Sequence, residues 1–366
     1  MKTRNSLFAL ALLSAAPAHA QVTITASDMY NQAGQYFRAY ANYFDPYNST
    51  TAYSTGGVMG NSGGPNFWDF SVGPTNQVFR YDYLASAGVP EAASFPQAKI
   101  GERKTVEGTN SVSWLFFEQV PGTGRKVYGF YDTSFSSDQP DNVFNPPIID
   151  FPDTIHYGDV WNTTTTITTL VSLIDPDISG SIPVQVTFSS AFKVDAYGTV
   201  ELPLLSFGDC LRVNENETIT TAADLDGTGN YQPVETDYAH NFYWLRPGYG
   251  ICAQINSTQA SSPPPDNFDQ ATAFMRMFET NKKPGTSTNT GIAAVTDLRA
   301  VVNGSQLLIK WTAPPATQHF RLEYSNSTLA PASWKPLTTI TNLTQPFYLD
   351  TTSSDTMRFY RVVSLP

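Results

Sequence analysis

Short stretches of alternating large apolar and polar residues recur along most of this chain, with turn-forming residues about every ten positions. Residues 78–84 and 161–170 show the alternation clearly, and Gly, Pro, Asn and Asp are frequent between such stretches. A period of two places successive side chains on opposite faces of a strand, so the pattern predicts antiparallel β-structure. The one helix candidate, residues 27–43, reads equally well as a strand. We therefore expect an all-β fold.

A break in composition divides the chain into two parts. Residues 281–291 contain Asn, Lys, Pro, Gly, Ser and Thr but no large apolar residue, so they cannot join a core and are predicted to be a linker. Residues 21–280 then form a main domain and residues 292–366 a smaller one. The many short strands favour a large antiparallel β-sandwich or partly closed barrel for the main domain, followed by a small β-sandwich.

The first 20 residues have the order of a secretory signal peptide. Lys2 and Arg4 precede the apolar run 7–13, and the small-x-small site 18–20 stands just before Gln21. The run is too short for a mature membrane helix, and no later run approaches the roughly 20 apolar residues of a span. We expect residues 1–20 to be removed and the mature protein to be secreted, extracytoplasmic or on the cell surface, without a transmembrane segment.

The charge of the chain argues against two classes of partner. The whole chain carries a formal charge of −11, and removal of Lys2 and Arg4 takes the mature protein to −13. Binding to nucleic acid depends on Lys and Arg that neutralise phosphates, and anionic membrane surfaces attract basic segments. Neither partner is therefore expected. A weakly charged exterior, in a chain with 14% charged and 13% aromatic residues, suits glycans better.

The two cysteines, Cys210 and Cys252, allow two interpretations. In an oxidising compartment an even pair is first read as a disulfide, and the alternative is two buried free thiols. Because residues 1–20 predict export, we expect the disulfide. A bridge across a loop of this length would destabilise the unfolded chain by about 3–4 kcal/mol.

Residues 224–230 resemble a calcium-binding loop. With Gly227 at the sharp turn, Asp224 and Asp226 fall at two ligand positions, and Asn230 adds a third oxygen donor. The position that normally carries a bidentate Glu is Pro233, so the ligand set is incomplete. The alternative is a solvated turn between two strands. A structural calcium ion is the only cofactor that the sequence suggests.

Aromatic residues give the best indication of binding. The segment around residues 30–53 is dense in Tyr and Phe, and exposed aromatic rings stack on sugars. The alternative is that aromatic residues at strand positions belong to the core. The residues singled out as binding aromatics are Tyr36, Tyr40, Tyr43, Tyr47 and Trp68.

No residue is assigned a catalytic role. Residues 60–64 resemble the nucleophile loop of chymotrypsin-like serine proteases, with Ser62 at its centre. That chemistry needs a His as general base, and no His of the mature chain precedes Ser62. Carboxylates are plentiful, but the linear sequence singles out no two of them as a glycosidase pair.

The smaller domain contains a strand with Trp311 facing the predicted core, a strand at residues 320–324 and a closing strand at residues 359–362. On these residues it resembles a fibronectin type III-like sandwich over about 75 residues, and the resemblance ends one strand short of a full domain. Residues 64–71 and 209–213 resemble segments of uncharacterised exported bacterial β-rich proteins. The first resemblance implies a spacer or binding platform, and the second implies a surface or secreted role.

These observations favour a secreted or surface-displayed binding or envelope protein, with an extracellular glycan or cell-surface polymer as its partner. The alternatives are an extracellular hydrolase that acts on polysaccharide and a purely structural surface component. A cleft with two facing carboxylates would support the hydrolase, whereas a flat Trp/Tyr platform would support the glycan binder.

Overall fold

A computed structural model describes residues 22–43, 53–133, 139–172, 181–205, 208–282, 296–303, 306–312, 319–325, 335–337, 347–350 and 359–365. In these ranges the chain is almost entirely β, which confirms the predicted fold class. Two short 3-10 helices, Ser86–Gly88 and Pro90–Ser94, accompany the strands. None of the described residues belongs to a helix that is long and apolar enough to cross a membrane.

The strands of the described ranges are β1 Ile24–Thr25, β2 Tyr36–Tyr43, β3 Tyr53–Ser54, β4 Gly63–Asp69, β5 Gln77–Ala85, β6 Ile100–Val106, β7 Val112–Val120, β8 Gly124–Asp132, β9 Asp141–Pro152, β10 Thr154–Ile155, β11 Val160–Ser172, β12 Ser181–Glu201, β13 Gly208–Ala223, β14 Gln232–Arg246, β15 Gly250–Ser257, β16 Gln270–Thr280, β17 Thr296–Asn303, β18 Gln306–Thr312, β19 His319–Ser325, β20 Lys335–Pro336, β21 Phe347–Asp350 and β22 Phe359–Leu365.

Twelve of these strands form one closed barrel. Their order is β11-β9-β8-β7-β6-β5-β2-β16-β15-β14-β13-β12, and every neighbouring pair is antiparallel. The ring closes where β11 pairs with β12, from Val160 opposite Lys193 to Ser172 opposite Ser181. Closure removes the unpaired backbone edges that an open sheet would expose. The barrel alternative of the prediction is therefore correct, and the closure is complete.

Strand β12 is long enough to pair with two different strands along one edge. Its first part pairs with β11, and after a register shift between Val194 and Ala196 its last part pairs in parallel with β4. Register shifts of this kind bend a strand and increase its twist, which helps a sheet to curve into a barrel. Strand β4 thereby continues the wall beyond the end of β11.

Residues 53–76, which include β3 and β4, also form an outer layer of chain over one side of the barrel. The rings of Trp68 and Phe70 lie 5.9 and 4.8 Å from that of Trp244 on β14. Arg276 on β16 donates hydrogen bonds to the carbonyl oxygens of Phe70 and Pro74. This part of the wall is therefore buried on both faces, which accounts for its long apolar stretches without a polar alternate face.

The segment before β2 crosses the end of the barrel at which β14 turns into β15. Strand β1 pairs with β10, and Asp28 accepts a hydrogen bond from the backbone of Gly248 at 2.7 Å. Tyr30 stacks on Tyr83 of β5 with 5.1 Å between ring centroids. Lys282 donates to the carbonyl oxygen of Met29 at 2.6 Å. The segment therefore covers this end of the lumen.

The C-terminal part forms two three-stranded sheets, β17-β18-β21 and β20-β19-β22. Buried Ile309, Trp311, Phe320 and Leu322 form its core. Strand β16 ends at Thr280 and β17 begins at Thr296, so the linker predicted at 281–291 falls between them. Residues 283–295 lie outside the described residues, and both the domain boundary and the fibronectin type III resemblance stay predictions.

The disulfide predicted between Cys210 and Cys252 is not formed. Cys210 lies on β13 and Cys252 on β15, with β14 between them, and both are buried free thiols. Neighbouring strands lie about 4.8 Å apart, so these backbones are separated by roughly twice that distance, beyond the ~4.4–6.8 Å that a disulfide spans. Burial raises the pKa of Cys252 to about 12 and that of Cys210 well above its usual value. The alternative of two buried thiols describes the structure.

Candidate functional site

The interior of the barrel contains a cavity of about 340 Å³. Side chains from eleven of the twelve barrel strands line it, and Met29 and Tyr30 of the covering segment complete its wall. Strands alternate their side chains between the two faces, and every second residue of β12, namely Phe188, Ser190 and Phe192, therefore points into this space. The volume lies in the range of roughly 300–1,000 Å³ found for small-molecule sites.

Aromatic rings are the largest group of side chains in the cavity wall. Ten of the lining side chains are Phe or Tyr. Phe37 stacks on Tyr81 with 4.4 Å between centroids, and Phe151 meets Tyr243 edge-to-face at 5.9 Å. Packed rings hold one another in position, so the wall is a rigid surface that presents ring faces and edges to whatever occupies the lumen.

One polar cluster in the cavity is centred on Arg125 of β8. Its Nε lies 2.9 and 3.0 Å from the carboxylate oxygens of Asp150, and Nη2 also bonds this carboxylate. Nη1 lies 3.7 Å from Glu102 Oε2. Burial raises the pKa of Glu102, although Arg125 and Tyr83 oppose that effect. The charge of the guanidinium is thus balanced by Asp150, and Glu102 adds a second carboxyl group to this side of the lumen.

A second polar cluster lies on β13, and no described cationic side chain forms an ion pair with it. Glu215 and Glu217 point into the cavity from alternate positions of the strand. Tyr243 Oη and Asn241 Nδ2 donate to Glu215 Oε2 at 2.6 and 3.0 Å. Burial and, to a smaller extent, the neighbouring Glu215 raise the pKa of Glu217 to about 8. At neutral pH Glu217 is therefore largely protonated.

A more polar vestibule of about 570 Å³ adjoins the cavity. Tyr81, Glu217, Gln254 and Met275 line both spaces, so the two share this part of the wall. Other vestibule residues are Lys104, Asp237, Asn241, Asn256 and Thr272. A ligand that enters here passes from polar side chains to aromatic ones, with Glu217 at the junction.

Of the aromatic residues predicted to bind glycans, the three whose side chains the structure describes do not form one platform. Trp68 is 1% exposed, and its indole N–H donates to the carbonyl oxygen of Met59, so it is wrong as a surface stacking residue. Tyr36 and Tyr40 are half-buried on β2, where Tyr36 Oη donates to a carboxylate and Tyr40 stacks on Phe278. Because side chains alternate along β2, both residues lie on the face of the strand that points away from the lumen. Tyr43 ends β2 and Tyr47 lies outside the described residues.

The predicted calcium loop is the turn between β13 and β14. Asp224 accepts hydrogen bonds from the backbone N–H groups of Thr228 and Gly229 at 3.1 and 3.0 Å. Asp226 accepts from the backbone and the hydroxyl of Thr228, whose hydroxyl also receives the Asn230 amide. Both carboxylates therefore stabilise the turn itself. Among the described residues no three His, Cys, Asp or Glu side chains are placed to hold a metal ion, and calcium stays a prediction.

The sequence analysis missed the charged residues of the lumen. A signal for them exists in the alternation: Glu215 and Glu217 have the same strand phase as the buried Leu211 and Val213, and Arg125 has that of Val127. A charged residue in the apolar phase of a strand costs free energy unless it is paired or used.

Comparison of the chain with protein-family models, with curated proteins and with solved structures gives no match, and the interpretation of the cavity rests on its own geometry.

Proposed function

We propose that this protein is an exported binding protein that holds a small, largely apolar ligand inside its barrel. The observation that carries the proposal is the aromatic-lined cavity of about 340 Å³ within a closed twelve-stranded wall, next to a more polar vestibule that shares four of its lining residues. Barrels of more than about eight strands have an interior wider than side chains alone fill, and proteins of this architecture use the space for ligands.

The polar groups of the lumen support binding rather than a purely structural role. Buried ion pairs are weak contributors to stability, and an acid such as Glu217, whose pKa is raised by desolvation, is destabilising when it ionises. Ligand sites, by contrast, combine an apolar wall with a few polar groups that fix the orientation of the ligand. For the same reason we propose a ligand that binds inside the lumen, in place of the glycan on the surface that the sequence suggested.

Export remains part of the proposal. It is supported by the basic, apolar and small-residue order of residues 1–20. We expect N-terminal sequencing of the protein recovered from outside the cytoplasm to begin at Gln21. An N-terminus at Met1 in that fraction would contradict the signal peptide.

The binding site is tested with N-phenyl-1-naphthylamine, a neutral apolar dye whose fluorescence rises on transfer out of water. We expect saturable enhancement with the wild-type protein and its loss in Ser190→Trp, which fills part of the lumen. The matched control is Ser189→Trp, since the neighbouring residue of β12 is not part of the cavity wall. Equal dye binding by both folded variants, checked by circular dichroism, would place the dye elsewhere and contradict the proposal.

A hydrolase is the second candidate, because the lumen holds two carboxylates in different environments. The pKa of Glu217 is raised to about 8, whereas Glu215 accepts two hydrogen bonds from neighbouring side chains. Such a difference is what an acid and a base at one site require. The enclosed volume suits an aryl glycoside rather than a polysaccharide. Turnover of aryl glycosides that disappears in Glu217→Gln while dye binding persists would favour this candidate.

A further inference from the structure

We propose that the ligand of the lumen is an organic cation, with its ammonium group against Glu215 and Glu217 and its apolar part among the aromatic rings. This inference rests on the proposed function, since it names the chemical class of ligand for the same cavity. It is carried by the charge balance of the lumen, by an unused carboxylate oxygen and by the aromatic wall around the acid pair.

The charges that face the cavity are unequal. Four carboxyl groups line it, and Arg125 is the one cationic side chain among the described lining residues. Arg125 is committed to Asp150 and Glu102 through the contacts given above. No Lys, Arg or His of the described chain pairs with Glu215 or Glu217, so the β13 side of the lumen has an acid pair without a counter-ion.

Glu215 also retains bonding capacity directed at the cavity. Its side chain is among the buried polar groups, with 6% of the residue exposed, and it belongs to the cavity wall. Both of its donors, Tyr243 and Asn241, bond Oε2. Among the described residues no donor reaches Oε1. This oxygen can therefore accept a hydrogen bond from a ligand N–H in the cavity, or lie against a positively charged ligand group.

The surrounding rings favour a cation over a neutral donor. The face of an aromatic ring is negative, and cations bind there with about 0.5–2 kcal/mol or more when water is excluded. Tyr81 lines both the cavity and the vestibule together with Glu217, and Tyr243 touches Glu215 directly. An ammonium group at this junction would contact ring faces and the acid pair at once.

Binding of a cation here would displace the proton of Glu217. In the empty lumen the pKa of Glu217 is about 8, and a nearby positive charge lowers it, so proton release accompanies binding near pH 7. The charged, titratable and polar groups that face Glu217 across the two spaces are Glu215, Tyr243, Asn241, Tyr81, Lys104 and Asp237.

The test is competition against N-phenyl-1-naphthylamine with three probes of similar size: benzyltrimethylammonium, its neutral isostere neopentylbenzene and the anion 4-tert-butylbenzoate. We expect the cation to displace the dye at concentrations at least about tenfold lower than the neutral probe, which corresponds to ~1.4 kcal/mol. Glu215→Gln combined with Glu217→Gln should abolish this preference. Glu235→Gln, an exposed change on β14, is the matched control and should retain it.

The outcomes separate the two proposals. Failure of the dye itself to bind the wild-type lumen contradicts the proposed function. Dye binding with equal displacement by cation and neutral probe, or stronger displacement by the anion, overturns only the cation inference. If the double variant does not fold, Glu217→Gln alone is used with calorimetry in two buffers of different ionisation enthalpy. The wild type should then release a proton on binding the cation at pH 7, and the variant should not; equal proton release by both overturns the inference.

Discussion

Neutralising Glu217 should change how the stability of the barrel depends on pH. In the folded protein its pKa is about 8, above the ordinary value of 4.5 that it regains in the unfolded chain. Between these values the folded state holds a proton that the unfolded state has lost, so stability falls as pH rises. The decline is about 1.4 kcal/mol per pH unit, or ~3 kcal/mol between pH 5.5 and 8. Glu217→Gln removes this contribution while keeping the shape of the protonated acid.

The assay is urea unfolding of wild type and Glu217→Gln at several pH values, followed by tryptophan fluorescence. The two proteins should be similar in stability near pH 4.5, and the variant should become the more stable one by pH 8. The difference between them is informative because every other titrating group is common to both. The exposed Glu235→Gln change should leave the wild-type slope intact. Parallel stability curves for wild type and Glu217→Gln would refute the raised pKa and the burial that causes it.

Two further predictions concern buried groups. Arg125→Met leaves Asp150 without its cation in the lumen and should lower the free energy of unfolding in urea by about 3–5 kcal/mol. Arg103→Met, at a side chain 40% exposed, should lower it by at most ~1 kcal/mol. Similar losses in the two variants would show that Arg125 is not buried as described. Thiol titration without reductant should find Cys210 and Cys252 unreactive in the folded protein and both reactive after denaturation. No reactive thiol after denaturation would show that the disulfide forms.

The sequence predicted the strand content because alternation is a local property, and local patterns survive in any β-fold. It left sandwich and barrel open, since closure depends on pairing partners distant along the chain, such as Phe37 opposite Thr280. It failed on the cysteines for the same reason: an even count of Cys gives no register, and Cys210 and Cys252 lie two strands apart. The binding aromatic residues were predicted from composition. Trp68 is nevertheless buried, because the outer layer to which it belongs packs against the barrel, and no local sequence pattern reveals that packing.

The pairing of β2 with β16 sets the order in which the protein can acquire its binding site. These neighbours in the wall are separated by more than two hundred residues of sequence, and Asn281 completes their junction by bonding the backbone of Gly34 and Tyr36. Until the chain through this region is available, β2 has no partner on one side and the lumen is open. Long-range closure of this kind is slow and leaves strand edges free to pair with other chains. Ligand added during refolding should therefore act late, on molecules whose ring has already closed, and aggregation should compete before that step.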